Sequence, residues 1–301
     1  MNAELLIMFT LDCNRAYLYA HPERELTPDE ISRYNDALAR RTTGVPAQYI
    51  TGHQEFWGMD LIVSPAVLIP RPETEHVVET VLELARDKES AMKNDNRGEY
   101  RSASLKEVSP TARKPKAAQG AASHRIVDVG TGSGAIALAL AMELPSAEIH
   151  ATDISPEALE VAQANAARHN LSARIHFHRA DLLMGLSLCG QASPELPRAE
   201  FDLVVSNPPY IGESEEEQVQ LEVRKFEPRS AVFAGPTGLE VIERLVPQAR
   251  EALRPKGWLV FEISGAIADR VHPLLAGWDE VAITNDLQGI PRVARARKRA
   301  H

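Results

Sequence analysis

The tetrapeptide Asn207-Pro208-Pro209-Tyr210 directly follows an apolar run, residues 203–206. Two successive prolines lack backbone N–H donors and fix two φ angles, so neither a helix nor a central strand continues through them. The side-chain oxygen of Asn207 and the backbone carbonyl of Pro208 can each accept one hydrogen of a planar nitrogen that carries two. Tyr210 can pack on the flat group that bears this nitrogen. The tetrapeptide therefore predicts a clamp for an amide or an aromatic amine.

A glycine-rich stretch, DVGTGSGAI, runs from Asp128 to Ile136 after an apolar run. Alternate glycines let the backbone approach a ligand closely and then enter a helix whose N-terminus faces that ligand. The spacing GxGxG differs from the dinucleotide fingerprint GxGxxG, which favours an adenosyl ligand over a pyrophosphate. The alternative is a glycine-rich turn that binds nothing. The predicted cofactor turn comprises Gly130, Thr131, Gly132, Ser133 and Gly134.

Two acidic residues end the next two predicted strands. Asp153 closes AEIHATD, about twenty residues after the glycines, where a carboxylate can accept both ribose hydroxyl hydrogens. Asp181 closes the following strand and can accept from an adenine amino group, with Leu182 packing on the ring. The alternative for each acid is a helix cap, a role that Ser155 partly fills after Asp153. Asn207 is predicted to border the same cofactor site.

From Arg125 onward, short β-branched runs alternate with helical ones. This alternation predicts an α/β fold with a doubly wound (Rossmann-like) parallel sheet and helices on both faces. Ser155 and Pro156 are the expected N-cap and first residue of one of these helices. Residues 185–199 are predicted to form a loop. In such sheets ligands bind at the carboxyl ends of the strands, where the glycine turn, the two acids and the tetrapeptide all lie.

The N-terminal part differs in pattern. Residues 1–46 predict a small helical domain, with a capping box at Thr27–Glu30. Residues 47–86 predict a β-hairpin followed by a linker helix. Residues 87–123 are poor in large apolar side chains and predict a disordered insert, or alternatively a basic docking arm. Residues 124–301 form the predicted sheet domain.

Bulk properties narrow the function. The net charge of −9 argues against non-specific nucleic-acid binding, and 44% hydrophobic residues suffice for buried cores. Neither a basic leader nor an apolar run of membrane-spanning length is present, so we expect a soluble cytoplasmic protein. The cysteines and the pair His176 and His178 lack metal-ligand spacing, so no metal is expected. The basic C-terminus, residues 292–299, is interpreted as a strand end with solvated charges, or alternatively as a phosphate contact.

Taken together, DVGTGSG, Asp153 and NPPY resemble class I methyltransferases that modify planar nitrogen with S-adenosylmethionine. Three further stretches resemble the HemK-like peptide chain release factor glutamine methyltransferases. They are QYITGHQEFWGMDLIVSPAVLIPRPETE, FEPRSAVFAGPTGLEVI and GIPRVARARK. The resemblance covers most of the chain outside the predicted 87–123 insert and the predicted 185–199 loop.

This resemblance implies that residues 130–134 and Asp153 bind S-adenosylmethionine, while Asn207, Pro208, Pro209 and Tyr210 hold the substrate. The implied reaction methylates the side-chain nitrogen of the glutamine in the Gly-Gly-Gln motif of class 1 release factors, giving N5-methylglutamine. The catalytic roles fall on Asn207, Pro208 and Tyr210. Two features depart from the family pattern. The N-terminal helical domain lacks roughly the first helix of the family's domain, and the 87–123 insert is unusual for the family.

Three alternatives stay open at this point. A ribosomal-protein glutamine is a possible substrate of the same chemistry. An adenine-N6 methyltransferase would need a basic, aromatic-bearing region to hold a flipped base, and an acidic chain with 5% aromatic residues offers little of this. A non-catalytic adenosyl-binding module would leave Asn207 and Tyr210 without a role. We therefore expect a protein-(glutamine-N5) methyltransferase that neither enters a membrane nor reads nucleic-acid sequence.

Overall fold

The computed structural model describes residues 2–98, 124–186 and 201–300. The described residues begin with four helices, and the first three lie within residues 1–46, where helices are predicted. The fourth lies in the 47–86 range, ahead of the predicted hairpin. The predicted capping box is also present, because Thr27 accepts a hydrogen bond from the Glu30 backbone while the Glu30 side chain accepts one from the Thr27 N–H. The four helices are α1 (Asn2–Leu11), α2 (Arg15–Ala20), α3 (Pro28–Thr42) and α4 (Ala47–Thr51).

The predicted hairpin consists of β1 (His53–Phe56) and β2 (Met59–Ile62). Trp57 and Gly58 connect these strands, and both have positive φ. A two-residue hairpin turn needs positive φ at both positions if it is to match the twist of the strands. A single helical turn, Pro72–Thr74, then leads into the linker helix α5 (Glu75–Gly98).

Helix α5 extends twelve residues past Arg86, so the prediction that disorder begins at residue 87 is wrong for residues 87–98. The extension has a physical reason, because adding residues to an existing helix avoids the cost of nucleation and the added sequence contains several good helix formers. The rest of the predicted insert, residues 99–123, lies outside the described residues. Most of the predicted 185–199 loop, residues 187–199, lies outside them as well.

The remaining strands and helices alternate along the chain. The strands are β3 (Arg125–Val129), β4 (Glu148–Asp153), β5 (Ile175–Arg179), β6 (Phe201–Ser206), β7 (Ile211–Gly212), β8 (Phe233–Gly235), β9 (Leu253–Glu262), β10 (Asp279–Asn285) and β11 (Pro291–Arg297). The helices are α6 (Ala135–Glu143), α7 (Pro156–Arg168), α8 (Leu221–Phe226), α9 (Arg229–Val232), α10 (Glu240–Ala252) and α11 (Ala268–Leu274). Helix α7 begins at the predicted N-cap, where Ser155 accepts from the Ala158 N–H at 3.0 Å.

Seven strands form the central sheet in the order β10-β11-β9-β6-β3-β4-β5. Helices α5 and α6 pack on one face, and α10 and α11 pack on the other, as a doubly wound sheet requires. The predicted doubly wound α/β fold is confirmed, except that the sheet is mixed rather than wholly parallel, because β11 runs antiparallel to both of its neighbours. A connection as short as Asp286–Ile290 between β10 and β11 permits a hairpin but no parallel crossover.

The basic C-terminus forms ion pairs within the chain. Arg297, the last residue of β11, pairs with Glu280, and Arg299 lies 3.2 Å from Asp279. These charges are thus partnered within the chain, which favours the strand-end interpretation over a phosphate contact.

His178 accepts or donates a 3.0 Å hydrogen bond with His150, and the two rings stack. This histidine therefore has a packing role within β5, an edge strand of the sheet.

Candidate active site

A cleft of about 370 Å³ opens at the carboxyl ends of β3, β4 and β6. The strand order explains its place, since β3 is the strand from which the chain winds outward in both directions, and ligands bind at such a switch point. Most residues predicted from the sequence meet in this cleft. Those that line it are Gly130, Thr131, Gly132, Ser133, Asp153, Asp181, Leu182, Asn207 and Pro209.

The glycine turn is held by the neighbouring strand, because the Thr152 carbonyl accepts from the N–H groups of Gly130 and Thr131 at 2.9 and 2.8 Å. Gly132 has φ +54°, and a Cβ added there would point into open space. Gly134 serves a different purpose. It caps α6 with φ +84°, and a Cβ would lie 2.5 Å from Leu138 Cδ1. Gly134 is absent from the cleft lining, so its observed role is helix packing.

Asp128 lies beneath this turn and is fully buried. Its Oδ2 accepts from the Thr131 hydroxyl at 2.6 Å and from the Ala137 N–H at 3.2 Å. Burial raises the pKa of Asp128 to about 7, although both hydrogen bonds oppose the rise. Asp128 therefore braces the first turn of α6 against the glycine turn, a role that the sequence pattern did not reveal.

The Asp153 carboxylate holds the backbone of the glycine turn and also lines the cleft. Its Oδ2 accepts from the Gly132 N–H and its Oδ1 from the Ser155 N–H, both at 2.9 Å. Burial raises the pKa of Asp153, and the backbone hydrogen bonds oppose this shift. Because each carboxylate oxygen can accept two hydrogen bonds, Asp153 holds the turn and retains acceptor capacity toward a ligand.

Asp181 and Leu182 form the cleft edge beyond β5. Leu182 has φ +57°, and its carbonyl accepts from the Thr152 hydroxyl at 2.9 Å, which fixes this edge to β4. Asp181 forms an ion pair with Arg244 of α10, and Arg244 also lines the cleft. Both side chains of this pair are substantially exposed. The predicted adenine acceptor thus has a basic partner that sequence pattern alone did not indicate.

The predicted clamp begins where β6 ends. The Asn207 side-chain nitrogen donates to the Thr74 hydroxyl at 3.0 Å, while Pro209 lines the cleft. Pro208 is buried and Tyr210 is half-buried, and neither is part of the lining. The Tyr210 hydroxyl donates to Glu262 at 3.0 Å, and burial raises the pKa of Tyr210. The tyrosine is therefore anchored from behind the cleft.

Glu262 closes β9 and accepts a second hydrogen bond, from the Thr74 hydroxyl at 2.6 Å. Burial raises its pKa, whereas the hydrogen bonds from Thr74 and Tyr210 lower it. Sequence reasoning missed both Thr74 and Glu262. A signal for Glu262 was present, because an acid near the end of the apolar run GWLVFEI occupies a position at a predicted strand end, like that of Asp153.

The roof of the cleft comes from two segments that are distant in sequence. One side comes from the linker between β2 and α5, through Ala66, Val67, Leu68 and Pro70. Pro228, Ser230 and Phe233 lie on the other side. Glu227 joins them, since it accepts from the Ile69 N–H at 3.0 Å and pairs with Arg71. The roof is mainly apolar, which limits the access of water to the cleft.

The described residues show neither a metal-binding cluster nor a membrane-spanning helix. In residues 2–98, 124–186 and 201–300, no three His, Cys, Asp or Glu side chains form a group that could hold a metal ion. None of the helices in these ranges has the length and apolarity needed to cross a membrane.

Comparison with known proteins identifies two matching domain families. Residues 1–52 match the PrmC N-terminal domain, and residues 115–225 match the methyltransferase small domain. Among solved structures, the hMettl16 catalytic domain in complex with MAT2A 3′UTR hairpin 6 has a TM-score of 0.53 and 17% identity. The match covers 85% of this chain and 80% of that one, and it supports the fold alone.

Several curated relatives match along nearly the whole chain. The protein named release factor glutamine methyltransferase from Koribacter versatilis is 49% identical over 99% of this chain and 91% of its own length. The protein of the same name from Chlorobaculum tepidum is 39% identical over 97% of this chain and 88% of its own. At this identity and coverage, the chain belongs to the release factor glutamine methyltransferase family.

Proposed function

We propose that this protein is a protein-(glutamine-N5) methyltransferase. It transfers a methyl group from S-adenosylmethionine to the side-chain nitrogen of the glutamine in the Gly-Gly-Gln motif of class 1 peptide chain release factors. One observation carries the proposal: Asn207 borders the same cleft as the glycine turn and Asp153. Asn207, whose side-chain oxygen can accept a hydrogen bond from the substrate amide, thus lies beside a site whose chemistry suits a nucleoside.

The cleft residues fit the proposed cofactor. Asp153 has acceptor capacity for the ribose hydroxyls, and the space above Gly132 admits a ligand close to the backbone. Asp181 and Leu182 are the proposed contacts of the adenine ring, with Arg244 beside them. S-adenosylmethionine, when bound, would supply an electrophilic methyl group and leave as S-adenosylhomocysteine, and the substrate nitrogen would lose one of its two protons. The protein's task is then to hold the substrate nitrogen that receives the methyl group in line with it, and to limit the access of water.

The clamp supplies this alignment. The nitrogen of a glutamine amide is a poor nucleophile because its lone pair is delocalised, so its position matters greatly. The Asn207 side-chain oxygen and the Pro208 carbonyl are the proposed acceptors of its two hydrogens. Among the described residues the Asn207 side chain is hydrogen-bonded through its nitrogen, to Thr74. The prolines add no competing N–H donors.

Substrate choice follows from the family. The curated relatives carry the name release factor glutamine methyltransferase, which favours a release factor over a ribosomal protein or a nucleic acid. We assign substrate recognition partly to residues 1–46 and methyl transfer to residues 124–301, with residues 47–86 as the connection. Because release factors act in translation, we place the protein's activity in the cytoplasm.

The test is mass spectrometry of the Gly-Gly-Gln peptide after the purified protein has been incubated with S-adenosylmethionine and a release factor. We expect one added methyl group on the glutamine and none on a factor whose glutamine is replaced by alanine. Ribosomal protein and adenine-containing DNA serve as competing substrates in parallel reactions. Methylation of either one in preference to the release factor would refute the proposal.

A further inference from the structure

Four polar side chains form one continuous network of hydrogen bonds at the wall of the cleft, and two of them, Thr74 and Asn207, line the cleft. The Asn207 side-chain nitrogen donates to Thr74 at 3.0 Å, and the Thr74 hydroxyl donates to Glu262 Oε2 at 2.6 Å. The Tyr210 hydroxyl donates to Glu262 Oε1 at 3.0 Å. Thr74 is 4% exposed and Glu262 is 1% exposed, so water does not compete for these groups. The network joins residues from the linker, β9 and the loop after β6.

The direction of these hydrogen bonds orients the Asn207 amide. Each oxygen of Glu262 accepts a hydrogen bond, so the single Thr74 hydroxyl proton is committed to Glu262. The Thr74 oxygen can then only accept from Asn207, and the NH₂ end of the amide is the end that can donate. With its nitrogen turned toward Thr74, the opposite end of the amide, Oδ1, is available as an acceptor. A flipped amide would place its oxygen against the Thr74 oxygen, which has no proton left to donate, and its NH₂ against the N–H donors of the substrate.

Thr74 is well suited to this task. Its β-branched side chain has few χ1 choices, and it lies in the helical turn before α5, where its own N–H donates to the Arg71 carbonyl at 3.1 Å. Arg71 is in turn paired with the buried Glu227. The Thr74 backbone is therefore held by the carbonyl of Arg71, and the Thr74 hydroxyl is held by Glu262.

We propose that Thr74 and Glu262 are positioning residues that hold the Asn207 side-chain amide with its oxygen toward the substrate nitrogen. The inference rests on the proposed function and deepens it, because it assigns a role in the methyl-transfer site to the linker that precedes the sheet. Glu262 is absent from the cleft lining and acts through Thr74 and Asn207, and Thr74 acts through its hydrogen bond to Asn207, although it also lines the cleft.

The first experiment compares Thr74→Val, which removes the hydroxyl at nearly constant volume, with Thr74→Ser, which keeps it. Thr80→Val is the matched control, since Thr80 is 6% exposed and its hydroxyl bonds the His76 carbonyl at 2.8 Å, outside the network. We expect Thr74→Val to lower the single-turnover methylation rate on the order of tenfold or more with unchanged cofactor affinity. Thr74→Ser should recover most of that rate, and Thr80→Val should match the parent.

A double-mutant cycle separates positioning from a merely structural effect. If Thr74 acts through Asn207, Thr74→Val should add no further loss in an Asn207→Ala background. Glu262→Gln should slow transfer in the parent and add nothing in that background either. A parent-like rate for Thr74→Val, or a full additional loss on top of Asn207→Ala, would overturn the inference.

One readout does not depend on the proposed function. In nitrogen-15 NMR spectra, the Asn207 side-chain NH₂ should be protected from hydrogen exchange in the parent and in Thr80→Val, and should lose this protection in Thr74→Val. An inactive parent protein would refute the proposed function, while this measurement would still decide the orientation of the amide. Equal protection in all three proteins would contradict the positioning role.

Discussion

The backbone N–H of Gly132 donates a 2.9 Å hydrogen bond to the carboxylate of Asp153, 21 residues further along the chain. One side chain at the end of β4 thereby holds the turn that follows β3. The proposed ligand contact and the geometry of the glycine turn thus depend on the same carboxylate. A substitution at this position should affect both.

Asp153→Ala should weaken S-adenosylmethionine binding, because it removes a charged acceptor for the ribose and releases the Gly132 N–H. A hydrogen bond to a charged group contributes about 1.5–3 kcal/mol, and Asp153→Asn should lose less since one acceptor remains. Calorimetric titration of the folded variants measures the effect. Parent-like affinity in Asp153→Ala would show that the carboxylate has no part in binding.

Asn207→Ala should lower turnover at least about a hundredfold, roughly 2.7 kcal/mol of transition-state stabilisation, because the substrate nitrogen loses one of its two acceptors. Cofactor affinity should persist, since Asp153 and the glycine turn are untouched. Asn207→Asp keeps an acceptor but places oxygen against the Thr74 oxygen, so it should also transfer slowly. Single-turnover assays with parallel titrations decide this, and near-parent rates for Asn207→Ala would refute the clamp.

Gly134→Ala and Gly132→Ala should differ in their effects. At Gly134 the new Cβ would approach Leu138 Cδ1 to 2.5 Å and Ala162 Cβ to 3.2 Å, in addition to the strain of positive φ. We expect a loss of about 2–4 kcal/mol in the free energy of unfolding, against roughly 1 kcal/mol for Gly132→Ala, which has strain but no clash. Urea denaturation measures both values. Equal losses would contradict the packing role of Gly134.

Asp128 should make stability depend on pH. Its pKa is raised from 3.8 to about 7, so the native state binds a proton that the unfolded chain has already released between these values. The contribution of Asp128 is therefore fully present below about pH 4 and is lost as the pH rises toward about 7. Relative to the parent, Asp128→Asn should gain stability over this range and level off above it. Parallel stability curves for the two proteins between pH 4 and 8 would contradict the raised pKa.

Local sequence signals determined the ends and order of many elements. Thr27 with Glu30, and Ser155 with Pro156, mark helix starts because the capping bonds join residues only a few positions apart. The glycine turn and Asp153 could be brought together from the sequence because parallel strands end at the same edge of the sheet. The same reasoning placed Asn207 beside them, and all three line one cleft.

Tertiary structure decided the contacts that orient the side chains around that cleft. Thr74 bonds partners 133 and 188 residues away, and no local pattern distinguishes its hydroxyl from that of any other threonine near a helix start. Glu227 bonds Ile69 across 158 residues for the same reason. A residue's chemistry and its place at a strand end follow from local spacing, whereas the partner that orients its side chain depends on how distant segments pack together.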